Sequence, residues 1–202
     1  MRFVVPAALA LATIAAPAAI AQTQPGAPVA SRVVAGTYGV DTAHTQVTWS
    51  VNHMGFSMLE GQFGASGGSL TIDPAKPQND KVEVTFNIND LSVTAAPFAN
   101  HLKSKDFFDA ATYPTARFVS TGVKVMGTKA VITGNLTIKD QTKPVTLNAT
   151  FVGAGINPMS KKLNIGFRAT AKIKRSDFGV GAYVPVVGDE VDLTINAAFT
   201  AQ

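Results

Sequence analysis

The chain has 202 residues, with 17 Lys and Arg against 13 Asp and Glu for a net charge of +4, and no cysteine. That length suffices for one domain with a sizeable core. The absence of cysteine excludes disulfides, thiol catalysis and thiolate metal sites, and the scattered basic residues argue against nucleic acid.

The first stretch is a targeting segment. Met1-Arg2 gives a positive start, Phe3 to Ile20 is apolar and Ala-rich, and Ala19-Ile20-Ala21 is a small-x-small cleavage site. The run is too interrupted to span a membrane, so residues 1–21 are expected to be a secretory signal peptide and the protein periplasmic. Residues 22–36, with Pro25, Gly26 and Pro28, are expected to form a flexible leader, leaving 37–202 as the folded domain.

Period-two alternation dominates that domain. Val47, Trp49 and Val51 share one face of a first strand. A second carries Leu59, Gly61, Phe63 and Ala65 and continues through Leu70 and Ile72, with a bulge or a sharp bend expected at Gly67-Gly68. Val82, Val84, Phe86 and Ile88 make a third strand. Ala116 and Phe118 open a fourth, whose parity changes near Gly122, which again suggests a bulge. Leu136 lies on the fifth, Leu147 on the sixth, Phe167 on the seventh and Leu193 on the eighth.

Between the third and fourth strands the alternation stops. Pro97 suits a first helical turn, and Phe98 and Leu102 are four apart on one helical face. Pro114 returns the chain to strand. This is the only non-alternating segment of its length expected in the folded part. It reads either as a plug of core residues or as a lid, with Phe98, Leu102 and Phe107 turned inward.

Eight strands with one apolar face each, short loops and no long helix give an all-β fold, a sandwich or a closed antiparallel barrel with one short helical insertion. Inward glycines and alanines among phenylalanines leave room for a ligand or interdigitate to fill a tapering barrel.

Several stretches in order then resemble the YceI-like family of exported, lipocalin-like polyisoprenoid-binding proteins. They are Asp41-Thr42-Ala43-His44-Thr45, His53-Met54-Gly55-Phe56, Gly61-Gln62-Phe63, Ser92-Val93-Thr94, His101-Leu102-Lys103-Ser104, Asp106-Phe107-Phe108, Tyr113-Pro114, Gly134-Asn135-Leu136-Thr137, Thr142-Lys143-Pro144-Val145 and Arg175-Ser176-Asp177-Phe178-Gly179-Val180. The resemblance implies an eight-stranded lipocalin-like barrel holding a long isoprenoid or similar amphiphile, with no enzymatic activity. Members usually carry a charged segment, often Arg-Asp, before the His-Leu pair; this chain has Pro97-Phe98-Ala99-Asn100 there.

The residues expected to line the lumen are Trp49 and Val51 on the first strand, Phe56 after it, Phe63 on the second and Phe86 on the third. Phe98, Leu102 and Phe107 follow in the central segment, then Phe118, Leu136 and Phe167 on later strands, and Phe178 beyond the seventh. No cofactor is expected beyond a bound isoprenoid or other lipid. The partners expected are a long apolar small molecule and no nucleic acid, with room for a transient membrane contact and a homodimer. His44, His53 and His101 lack metal-ligand spacing and are expected to be structural, hydrogen-bonded at a barrel end. Lys172, Lys174 and Arg175 are expected to be a solvated strand edge, and Arg175, Ser176 and Asp177 a local turn with an ion pair. Two alternatives to the carrier stand beside it: an enzyme acting on lipid or quinone with His101 as acid–base, and a stress-related barrel with a filled core.

Overall fold

The computed structural model describes residues 24–202; the expected signal peptide lies outside the described residues. In chain order the elements are β1 (Gly36–Val40), β2 (Gln46–His53), β3 (Ser57–Ile72), β4 (Lys81–Asn87), helix α1 (Ala96–Lys103), β5 (Thr115–Met126), β6 (Lys129–Ile138), β7 (Gln141–Ile156), β8 (Leu163–Lys174) and β9 (Val187–Ala201). Every pairing is antiparallel, each strand from β2 to β9 pairs with the next, and β9 pairs back to β2. The sheet therefore closes into an eight-stranded barrel, which removes the edges an open sheet would expose.

The ninth strand does not add a position. β1 lies between β3 and β9, as β2 does, so the two are halves of one interrupted strand. The interruption is Asp41–Thr45. The Asp41 carboxylate accepts from the Ala43 N–H (3.1 Å) and pairs with His44 Nδ1 (2.8 Å), folding the chain out of line. Thr45 stitches it back: its buried hydroxyl donates to Ala198 O (3.1 Å) and accepts from Ala198 N (3.0 Å). His44 is thus tied to a side chain in this kink rather than to backbone at a barrel end.

Both expected bulges are present, between Ala65 and Gly67 on β3 and between Ser120 and Gly122 on β5. The barrel's inner face is less roomy at its glycines than the sequence suggests. A Cβ on Gly61 would run into the Trp49 ring, and one on Gly134 into the Phe118 ring. Each ring lies across a glycine on the neighbouring strand, so these positions are covered by aromatics.

β7 runs past the end of β6, whose last pairing there is Lys129 with Thr150. The free edge this leaves is taken by part of the stretch expected to be a leader. Ala27 exchanges backbone hydrogen bonds with Ala154 (3.2 and 2.9 Å), and the Arg32 guanidinium donates to Pro25 O and Ala154 O (3.3 and 3.5 Å).

Two corrections concern charge. Arg175 is buried and Lys172 pairs with Asp192 (2.9 Å) and Glu190 (3.5 Å) on β9, so the expected basic edge is an interior strand laced to its neighbour. The chain from Arg175 to Val186 is also a second long non-alternating segment, which the sequence reading overlooked.

Candidate functional site

The strands enclose a cavity of about 810 Å³ that runs the length of the barrel. This lies within the range of pockets that take a drug-sized or larger apolar ligand. Its wall in mid-barrel is almost wholly aliphatic and aromatic: Trp49 and Val51 from β2, Phe63 from β3, Val84 and Phe86 from β4, Phe118 from β5, Leu136 from β6, Ala149 from β7, Phe167 and Ala169 from β8, and Ile195 from β9. Polar lining appears only toward the two ends.

One end is capped. Pro97 starts α1, as its missing N–H costs nothing in a first turn. The helix lays Phe98 and Leu102 over the barrel, and the turn after it adds Phe107; all three line the cavity, and Leu102 and Phe107 are buried. The other half of the cap is the overlooked segment. It begins with a 3-10 turn, Arg175–Phe178, ended by Gly179 in the left-handed region (φ 68°). Phe178 and Val180 are 1% and 5% exposed beneath it, so the cap is part of the core.

Hydrogen bonds from cations hold the cap. Arg175 does not pair with Asp177. Its guanidinium donates to Gly188 O (2.7 Å), Val180 O (2.7 Å), Ala182 O (2.8 Å) and Val187 O (2.9 Å), nearly its whole donor fork spent on the loop it closes. Burial lowers its pKa from the ordinary guanidinium value, and the charge of Asp189 opposes that. Burial likewise raises the Asp189 carboxyl, but hydrogen bonds from the Ser176 hydroxyl (2.7 Å) and N–H (2.9 Å), with Arg175 and Lys174 nearby, outweigh it and leave the pKa low. Lys139 joins the two halves, donating to Phe107 O (3.0 Å) and Gly179 O (3.1 Å). Lys103 donates to Asn89 O (2.6 Å).

Two histidines stand in the wall at this end, His53 and His101. The His101 ring meets Phe107 and Tyr183 edge-on, with centroids 5.0 and 6.2 Å away, and its Nε2 lies 3.7 Å from Asp106. Among the described residues no three His, Asp or Glu side chains gather as a metal-ligand set.

The other end is open. A cluster of Tyr38, Ile165 and Phe199 fills part of it. Beside that cluster the cavity is bounded by Ala30, Pro74, Lys81, Gly127, Thr128 and Lys129, all exposed. Asp80 is buried there, accepting the Asp73 N–H (2.7 Å), and burial raises its pKa.

The structure gathers all but one of the expected lining residues into this single cavity. The exception is Phe56, 85% exposed and outside the wall. Met54 and Gly55 take left-handed conformations (φ 60° and 75°) to turn the β2–β3 hairpin, which carries Phe56 off the barrel face. Leu59, Ile132, Val145 and Leu147 also line the cavity and were legible from strand parity alone.

Comparison with known proteins agrees with this geometry. Residues 38–199 match the YceI-like domain. The UPF0312 protein of Enterobacter sp. (strain 638) is 41% identical over 165 residues, covering 81% of this chain and 85% of that protein. Protein YceI of Escherichia coli O157:H7 is 40% identical over 169 residues, covering 83% and 88%. Among solved structures, Burkholderia cenocepacia BcnA superposes with a TM-score of 0.68 at 30% identity, over 79% of this chain and 98% of that one. A polyisoprenoid binding domain from Saccharophagus degradans, implicated in plant cell wall breakdown, shares the fold with a TM-score of 0.59 at 14% identity, over 82% and 98%. The chain belongs to the YceI-like domain family.

Proposed function

We propose that the protein is an exported, periplasmic carrier that holds a long-chain polyisoprenoid or a similar amphiphile in the barrel lumen. Isoprenoid quinones, prenyl phosphates and fatty-acid derivatives are the ligand class. The observation that carries this reading is the continuous apolar cavity of about 810 Å³ from open end to cap. A long apolar chain is nearly insoluble in water, and each methylene moved into such a wall contributes about 0.8 kcal/mol, so affinity needs few polar contacts. The polyisoprenoid binding domain of similar fold supports the ligand class. Family membership and an apolar wall favour binding over catalysis.

In this reading Trp49, Phe63, Phe86, Phe118, Leu136 and Phe167 contact the tail along the barrel, and Phe98, Leu102, Phe107 and Phe178 stop it at the cap. Trp49 is the sole tryptophan of the chain and lines the lumen, so its fluorescence is the test. A long-chain prenol or quinone added to delipidated protein should shift or quench it to saturation at one ligand per chain. No change, with native mass spectrometry also showing no adduct, would contradict the proposal.

A further inference from the structure

The two ends of the barrel differ in charge as well as in closure. Around the open end, connections place an exposed apolar side chain beside exposed cations. Val34 follows Arg32 ahead of β1, Met126 precedes Lys129 at the β5–β6 turn, and Met159 precedes Lys161 and Lys162 in the β7–β8 hairpin. Met159 is 88% exposed. It is nonetheless held in place, because the Asn157 side chain accepts from the N–H groups of Met159 (2.9 Å) and Ser160 (3.3 Å). The β3–β4 connection adds Lys76 and Lys81.

None of these cations forms an ion pair among the described residues. The side-chain carboxylates at this end are Asp73 and Asp80, and Asp80 is turned inward. Exposed apolar tips ringed by unpaired ammonium groups suit a partner that is anionic at its surface and apolar just beneath. A bilayer containing anionic lipids has that profile: phosphates meet the ammonium groups, lysine stems lie along the interface, and methionine and valine reach the acyl boundary. A soluble polyanion would leave the apolar tips in water.

The capped end is the internal contrast. It also exposes apolar groups, Phe56 and Tyr183 among them, but there Asp90, Asp106, Asp109, Asp140 and Asp177 stand in the turns among Lys103, Lys105 and Lys139. Carboxylates interleaved with the lysines offset their attraction for an anionic surface, an offset the open end largely lacks. We infer that the open end of the barrel is a docking surface for an anionic lipid bilayer, seated through Met126, Met159 and the surrounding lysines so that the lumen faces the lipid. The passage of a ligand through that contact rests on the carrier reading; the docking itself does not.

The test is flotation of the protein with vesicles of phosphatidylcholine alone and of equimolar phosphatidylcholine and phosphatidylglycerol. Binding is expected to the anionic vesicles and to be lost at high salt, because screening removes the lysine contribution. Each lysine near an anionic surface is worth about fivefold, so Lys161→Glu with Lys162→Glu should weaken binding by about twenty-five-fold or more. Met159→Ser should weaken it further at unchanged charge, and Phe56→Ser at the capped end should leave it unaltered. Equal binding to both vesicle types would overturn the inference. So would loss of binding with Phe56→Ser but not with the hairpin variants. Dimerisation through Met159, or salt-sensitive binding to heparin, in either case without vesicle binding, would overturn it as well. Native mass spectrometry of the same samples separates the two claims. Protein that carries a prenol but never floats contradicts docking alone. Protein that floats but never takes up a prenol contradicts the carrier alone.

Discussion

The capped and open ends of this barrel are built from different physics. The cap is held by buried apolar side chains and by cations that donate to backbone carbonyls: Arg175 to four of them, Lys139 to two. Among the described residues the lysines of the open end form no ion pair, and its rim is exposed. Lys139 and Arg175 thus serve as structural cement at one end, while the lysines remain available at the other. Composition alone does not distinguish the two uses; only the location of carbonyls and carboxylates does.

The largest effect that would break this contrast is at Arg175. Arg175→Met removes the fork and leaves its carbonyl partners short of donors. Unmade buried hydrogen bonds cost about 1–3 kcal/mol each, so a loss of about 3–5 kcal/mol is expected in chemical denaturation. A melt close to that of the parent would mean that the cap is held by something else.

Next is Leu102→Ala. Leu102 is 7% exposed and belongs to the main core cluster, so truncation should cost about 2–3 kcal/mol, toward the low end for leucine because the site borders an existing cavity. The same variant separates plug from lid. If bound prenol leaves for acceptor vesicles no faster while the whole fold weakens, the helix is core and nothing more. Faster release with only that modest loss makes it a gate, since gating elements come from the less stable parts of a fold.

Gly134→Ala tests whether the wall is as tight as the aromatic cover implies. The new methyl meets the Phe118 ring and Val119 O, and overpacking of this kind costs about 1–3 kcal/mol. A neutral effect in thermal melting would show that Phe118 can retreat into the lumen.

The smallest effect is on acid response, and its sign differs between the ends. The Asp189 carboxyl at the cap has its pKa lowered, so the stability it supplies is present above the ordinary carboxylate range and is lost as pH falls through the folded value. Asp80 at the open end has its pKa raised by burial, so its charge is unfavourable at neutral pH and stability is regained as pH falls through the folded value. Asp189→Asn should flatten the acid-side loss of stability, and Asp80→Asn should raise stability slightly at neutral pH. Shifts of the same sign in the two variants would sink this assignment.

Much of the fold was legible because its determinants are local. Strand parity placed Trp49, Phe63, Phe118 and Phe167 on one inner face, and the parity break near Gly122 marked a bulge that the register confirms. Pro97 and the Phe98–Leu102 spacing fixed α1 before any tertiary information. What escaped depends on contacts far apart in sequence. Arg175 looked like part of a basic edge because its acceptors lie up to 13 residues ahead, in a loop with no pattern of its own. Phe56 looked like lumen because aromatic character is visible in sequence, whereas the turn geometry at Met54 and Gly55 that ejects it is not. The inner glycines looked like room because the cross-strand rings that cover them are set by register.

The central claim is that the ligand occupies the lumen, and filling the lumen tests it most directly. Ala169 lines mid-barrel and is 6% exposed, so Ala169→Phe projects a ring into the space a tail would take. Native mass spectrometry of delipidated protein with a long-chain prenol should show one prenol per chain for the parent and none for Ala169→Phe, with comparable melts. Equal uptake by both proteins would contradict the account and place the ligand elsewhere on the molecule.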